Sequence, residues 1–183
     1  MKRRFISART FLSFRRPSCI LMVSTLGLAA EYPQLAAADN SSKPSITATA
    51  RAAAVEQYNL AADKLALQGY DPVAYFTENR AVKGSAEYLG NYRGVAYRFA
   101  SDANRKRFQE SPEKYLPTYG GWCATAMAKG EKVEIDPTNF KVTDNRLFLF
   151  YKGLWGNARK DWEKDEANET RKADAHWKKI SGE

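Results

Sequence analysis

Two hairpin patterns constrain this chain more than any other feature. Val95-Ala96-Tyr97-Arg98-Phe99 alternates large apolar side chains with small or charged ones, the period of a half-buried strand. Glu87-Tyr88-Leu89-Gly90-Asn91-Tyr92 precedes it across Arg93-Gly94, and Gly94 can take the positive φ a tight turn requires. Phe140-Lys141-Val142 and Leu147-Phe148-Leu149-Phe150-Tyr151 repeat the arrangement across Thr143-Asp144-Asn145-Arg146. A sheet with an apolar face must be covered, and the rest of the chain supplies the helices to do it.

Helix starts are marked by capping residues. Asp71 before Pro72 reads as N-cap and first helical position. Ser101 caps a helix over Asp102 to Glu110 that turns Phe108 inward, and Pro112 opens a short turn ended by Pro117. Helical propensity rises over Ala50 to Tyr58, and Leu65-Ala66-Leu67 can open a first short strand. Asp136-Pro137 marks a further turn. From Asn157 the pattern is helical to Ile180. One stripe is Trp155, Ala158 and Trp162, the other Thr170, Ala173, Trp177 and Ile180, with a bend at Asn168. The expected class is α+β: a small antiparallel sheet from two β-hairpins, covered by short helices, with a C-terminal helical pair.

The formal net charge of +8 suggests a nucleic-acid binder, but its distribution argues otherwise. Six of the 29 basic and one of the 21 acidic residues lie in residues 1–38, leaving 23 against 20, a net of +3. Acids and bases alternate in what remains, as in Glu163-Lys164-Asp165-Glu166. Residues 1–38 read as a signal peptide. Arg15 and Arg16 precede the apolar run Cys19 to Ala30, and Ala36-Ala37-Ala38 offers a cleavage site. The run is too short for a mature transmembrane helix. The expected division is a signal peptide over 1–38, a polar linker over 39–50 and a single domain over 51–183. The expected location is periplasmic or otherwise exported, after cleavage near Ala38.

Of two cysteines, Cys19 leaves with the signal peptide and Cys123 remains, so no internal disulfide is expected. Cys123 follows Tyr119-Gly120-Gly121-Trp122 and begins an alanine-rich run that ends at Gly130. Read as a helix, the run puts Cys123 in its first turn, where unpaired N–H groups and the dipole favour thiolate. A lone exported thiol is either buried and inert or kept for chemistry.

Several marks together resemble the YHS domain over Gly69–Tyr151: Asp71-Pro72-Val73, the Gly94-x-x-Tyr97-x-Phe99 strand, Phe108, and Ser111-Pro112-Glu113-Lys114-Tyr115-Leu116. Gly121-Trp122-Cys123-Ala124, Ile135-Asp136-Pro137, Trp162-Glu163-Lys164-Asp165 and Lys172-Ala173-Asp174-Ala175-His176-Trp177 extend the likeness to the exported branch of YHS domain-containing (seleno)proteins. The resemblance implies that some relatives carry selenocysteine where this chain has Cys123. Metal-associated YHS modules resemble Asp-Pro-Val-Cys-Gly-Met followed by Phe-Cys-Ser-x-x-Cys. Here those cysteine positions read Ala74, Ala100 and Asn104, which offer no soft ligand.

The remaining candidates are few. Cys123 and Met127, spaced i and i+4, would share a helix face and suit a soft metal such as copper. Tyr70, Tyr75, Tyr97, Tyr119 and Trp122, with Tyr115, could line a ligand pocket or pack a core. His176 is the only histidine, and no nucleophile elbow, phosphate loop or dinucleotide fingerprint appears. The chain reads as a small binding module for a metal, a small ligand or thiol-redox handling around Cys123, rather than as an enzyme. The alternatives are a redox enzyme with Cys123 as nucleophile, dependent on an external thiol, and a partner-binding module with a silent buried cysteine.

Overall fold

The structure is a computed structural model that describes residues 55–154 and 156–182. The expected signal peptide, the polar linker and the ring of Trp155 lie outside the described residues.

The chain alternates short strands and short helices. Strands β1 (Leu60–Ala61) and β2 (Leu65–Ala66) lead into helix α1 (Pro72–Thr77). Then come β3 (Ser85–Tyr92), β4 (Val95–Phe99) and helix α2 (Asp102–Glu110). Helix α3 (Ala124–Met127) precedes strands β5 (Asp136–Thr143) and β6 (Arg146–Phe150). The chain closes with a small hairpin, β7 (Lys152–Gly153) and β8 (Gly156–Asn157), and helices α4 (Arg159–Trp162) and α5 (Glu166–Ser181). The class is α+β, as the patterning predicts.

The first hairpin forms at the expected turn. Arg93 and Gly94 both have positive φ, 52° and 82°, the geometry that matches strand twist. Val95, Tyr97 and Phe99 are buried on one face, and Phe108 of α2 packs on them with ring centroids 4.8 Å from Tyr97 and 5.1 Å from Phe99. Ser101 Oγ caps α2 by accepting from Asn104 N–H at 3.2 Å. The sheet order is β1-β2-β4-β3, and β2 meets β4 in parallel at Leu65 and Ala96.

The second hairpin turns at Asp144 and Asn145, with φ of 48° and 56°, a conformation these residue types tolerate. It stands in its own two-stranded sheet, so the two hairpins do not form one sheet. Asp136-Pro137 does not end the strand: the register shifts between Asp136 and Phe140, and Asp136 Oδ1 accepts from Thr138 N at 2.8 Å inside that irregularity.

Strand β6 divides the interior. Leu147 and Leu149 point into a core shared with Val95, Tyr97, Phe99 and Phe108. Phe148 and Phe150 point into a second core with Trp162, Ala173 and Trp177. The side-chain period of two thus puts alternate residues of one strand into two cores. Ala158 and Trp162 of the first stripe and Ala173, Trp177 and Ile180 of the second pack in the second core, but the helical break falls at residues 163–165 rather than at Asn168. Asp165 leaves helical geometry there (φ −155°, ψ 62°) and its carbonyl accepts from Glu169 N at 3.0 Å.

Candidate functional site

Cys123 arrives by an unusual turn. Tyr119, Gly120 and Gly121 take three consecutive positive φ angles of 56°, 59° and 88°. A Cβ on Gly120 would come within 2.7 Å of Tyr58 and 2.8 Å of Trp177, so only glycine lets both rings close over this backbone. Tyr119 holds its strained conformation with a hydroxyl that donates to Asp174 Oδ1 at 2.9 Å. Burial first, and then that bond, push the Tyr119 phenol well above the ordinary tyrosine range, so it acts as a neutral donor. Trp122 Nε1 donates to Gln57 O at 2.6 Å.

The turn delivers Cys123 to the edge of a helix, not into it. Cys123 is extended (φ −61°, ψ 120°) and is the N-cap of the four-residue α3. Its N–H donates to Val133 O at 3.0 Å, and it pairs in parallel with Leu149. The expected first-turn placement, with unpaired N–H groups around the sulfur, is therefore replaced by a strand-like one. Four residues also carry little macrodipole, so helix polarisation of the thiol loses its basis. The reason is local: the left-handed turn ends at Gly121, and the pairing partners at Val133 and Leu149 hold the next residues extended.

That placement also separates Cys123 from Met127. Cys123 faces the core containing Leu149, and Met127 is buried in the core containing Phe148 and Trp162. The i, i+4 rule fails because only one of the two is helical. Among the described residues no group of three His, Cys, Asp or Glu is placed to hold a metal ion. His176 Nδ1 lies 3.1 Å from Met127 O, where the ring can donate to the carbonyl and secure α5 to the end of α3.

The tyrosines do not meet in one pocket. Tyr75 and Tyr97 are buried in the first core and Tyr119 in the second, while Tyr70 stacks under Lys83 Nζ. The Tyr75 hydroxyl donates to Pro137 O at 2.9 Å, and burial pushes its phenol far up.

What Cys123 does border is a cleft of about 300 Å³. The residue is only 1% exposed, yet it lines this cleft with Ala126 and Val133, under polar residues that include Lys129, Glu131 and Asn157. The wall comes from segments near residues 123, 131, 151 and 158 of the chain. Sequence spacing gives no sign of it, because turns and strand pairing alone bring those segments together. Thr125 closes one side by donating its hydroxyl to Ala158 O at 2.8 Å.

A second polar centre lies in the first core. Asp71 is fully buried, and its carboxylate accepts from Val73 N at 2.8 Å, Ala74 N at 3.4 Å, Ala100 N at 2.8 Å and Asn104 Nδ2 at 2.7 Å. Three of these donors, from Ala74, Ala100 and Asn104, belong to the positions where metal-associated modules resemble cysteine. The positions do converge, but on a carboxylate whose acceptor capacity is filled by amides.

Residues 73–119 match the model of the YHS domain. The chain carries a YHS domain. It spans α1, the first hairpin, α2 and the turn as far as Tyr119, and so includes Ala74, Ala100 and Asn104. YHS domains are small domains often linked to copper handling. Cys123 and every other residue lining its cleft lie beyond the matched residues. No curated protein and no solved structure matches the chain. Among the described residues no helix is long and apolar enough to cross a membrane.

Proposed function

We propose that this chain is an exported binding module, not an enzyme, and that its working site is the cleft over Cys123. The observation that carries the reading is a free, buried cysteine in the wall of an open cleft of about 300 Å³. Export rests on Arg15-Arg16, the apolar run after them and the Ala36-Ala37-Ala38 cleavage site. The YHS unit acts as scaffold here, because the positions that would supply thiolates hold Ala74, Ala100 and Asn104 turned to Asp71. The cleft takes a small solute that contacts the sulfur, in keeping with thiol-redox handling assisted by an external thiol.

The test is alkylation of the native protein. Cys123 should take up iodoacetamide without denaturant, and the Cys123→Ser variant should take up none. Labelling that needs prior unfolding would remove the reading. Retention of copper by the native protein, lost in Cys123→Ser, would favour a metal-handling site instead.

A further inference from the structure

The first sheet has a second face. Val95, Tyr97 and Phe99 of β4 fill the core, and Arg98 between them stands on the outer side. Arg98 is half-buried, and its Nε is sealed from solvent with no hydrogen-bond partner. Among the described residues its guanidinium makes no hydrogen bond and no ion pair. The residue across the β3–β4 ladder, where a sheet that paired its own charge would carry a carboxylate, is Leu89, which is 52% exposed. On the β2 side the stem meets Leu65. A Cβ built on Gly69 would lie 3.5 Å from both Leu65 Cδ2 and Arg98 Cδ, and 3.8 Å from Arg98 Nη1. The guanidinium thus lies against the bare backbone of Gly69, flanked by two leucines and by no acid.

A second cation reaches the same dipeptide. Lys83 Nζ is 3.5 Å from Gln68 O and 4.7 Å from the centre of the Tyr70 ring, and it has no carboxylate partner among the described residues. Gly84, next along the chain, donates its N–H to Gly69 O at 2.9 Å. It also packs so closely on Arg98 that a Cβ there would come within 2.6 Å of the arginine backbone. These contacts fix Lys83 and Arg98 beside Gln68-Gly69. A half-buried guanidinium without an acceptor is costly, and an ammonium at the same dipeptide adds repulsion. A buried donor of this kind with no partner in the protein marks a place for a water or an ion, and two unpaired cations decide for an anion.

We infer that the outer face of the first sheet binds an oxyanion of the phosphate type at Arg98 and Lys83. A guanidinium meets two oxygens of such an anion at once, and an ammonium takes a third as a point charge. Two cations without acids suit a dianion better than a monoanion. Leu65 and Leu89 border Arg98 with apolar surface, which strengthens a charged contact made between them. The site is separate from the Cys123 cleft. Lys83 and Arg98 lie within the matched residues 73–119 and the cleft beyond them, so either reading can fail without the other.

The experiment is calorimetric titration and thermal melting of the purified protein with inorganic phosphate, against chloride at matched ionic strength and acetate as the monoanion. Phosphate should bind saturably and raise the melting temperature, and acetate should bind about tenfold more weakly. Arg98→Met keeps an apolar stem and removes the charge. Without phosphate it should melt at or above the wild-type temperature, because it relieves an unpaired half-buried cation. With phosphate the order should reverse. Phosphate affinity should fall about tenfold in Arg98→Met and about threefold in Lys83→Gln. Lys106→Gln, whose partner is Asp102, should leave it unchanged. Vesicles of phosphatidylglycerol and of phosphatidylcholine separate the two sources of the group. Arg98-dependent retention on the first alone assigns a lipid headgroup, and phosphate binding without retention assigns a soluble phosphate. Stabilisation no greater than chloride gives, or equal phosphate affinity in Arg98→Met, would overturn the inference. So would an Arg98→Met protein that is destabilised without phosphate, since the guanidinium would then serve the fold.

Discussion

Asp71 and Cys123 each sit at the N-cap of a short helix, and each is almost wholly buried, yet the molecule treats them in opposite ways. Four donors converge on the Asp71 carboxylate and leave it nothing to offer. The Cys123 backbone is fully engaged, while its side chain packs in the core with Leu149 and the residue borders a cleft. A buried polar group with every bond made is a structural fastening. A buried cysteine with none made, at the wall of a cavity, is what the function proposed above rests on. The carboxylate gathers α1, the end of β4 and α2, and so fastens this part of the fold without thiolates.

The contrast breaks most visibly at Asp71. Asp71→Ala would strand the N–H groups of Val73, Ala74 and Ala100 and the Asn104 amide in a closed core, at a cost of about 3–5 kcal/mol. Urea denaturation measures it, and a loss below about 1 kcal/mol would mean that the fastening role is misassigned. Gly120→Ala should come next, at about 2–3 kcal/mol, since its methyl group meets Tyr58 and Trp177 at under 3 Å. The same denaturation series reads it, and a near-neutral result would show that the turn leading to Cys123 is not tightly specified. Cys123→Ala should cost only about 1 kcal/mol, because it removes one buried sulfur and no hydrogen bond, while it abolishes all adduct formation. A large stability loss there would place Cys123 on the same footing as Asp71.

The smallest effect is a pH dependence at the second core. Burial raises the Asp174 carboxyl, but hydrogen bonds from Arg146 and Tyr119 outweigh it and hold it below the usual 3.8. A carboxyl lowered in the folded state stabilises above its unfolded pKa, and that contribution disappears as pH falls through the folded value. Stability should therefore drop below about pH 4 in the wild type. Asp174→Asn should show a shallower drop when melting temperature is followed from pH 6 to pH 2.5.

Much of the fold was legible because its signals are local. The Arg93-Gly94 turn, the Asp71-Pro72 and Ser101 caps and the Val95, Tyr97, Phe99 face each depend on neighbours a few residues away. The candidate site was legible only at its centre. Cys123 stands out as the single cysteine after residue 19, but its extended conformation is set by Val133 and Leu149, ten and twenty-six positions along the chain. Lys129, Glu131 and Asn157 carry no motif and become a rim only after β6 and the small terminal hairpin are in place. The tyrosines looked like one cluster because aromatic composition does not record which side of β6 a ring occupies. The helix break moved from Asn168 to residues 163–165 because the fixed position of Trp162 against Phe148 and Phe150 decides where α4 must stop.

The double tether on Cys123, to Val133 on one side and Leu149 on the other, has a consequence for traffic. A sulfur anchored in this manner cannot swing outward to greet a docking protein, so whatever reacts with it must diffuse inward. Under the function proposed above, the doorway would then work as a molecular sieve: bulky proteins are turned away, and only dissolved solutes of modest girth would reach the thiol.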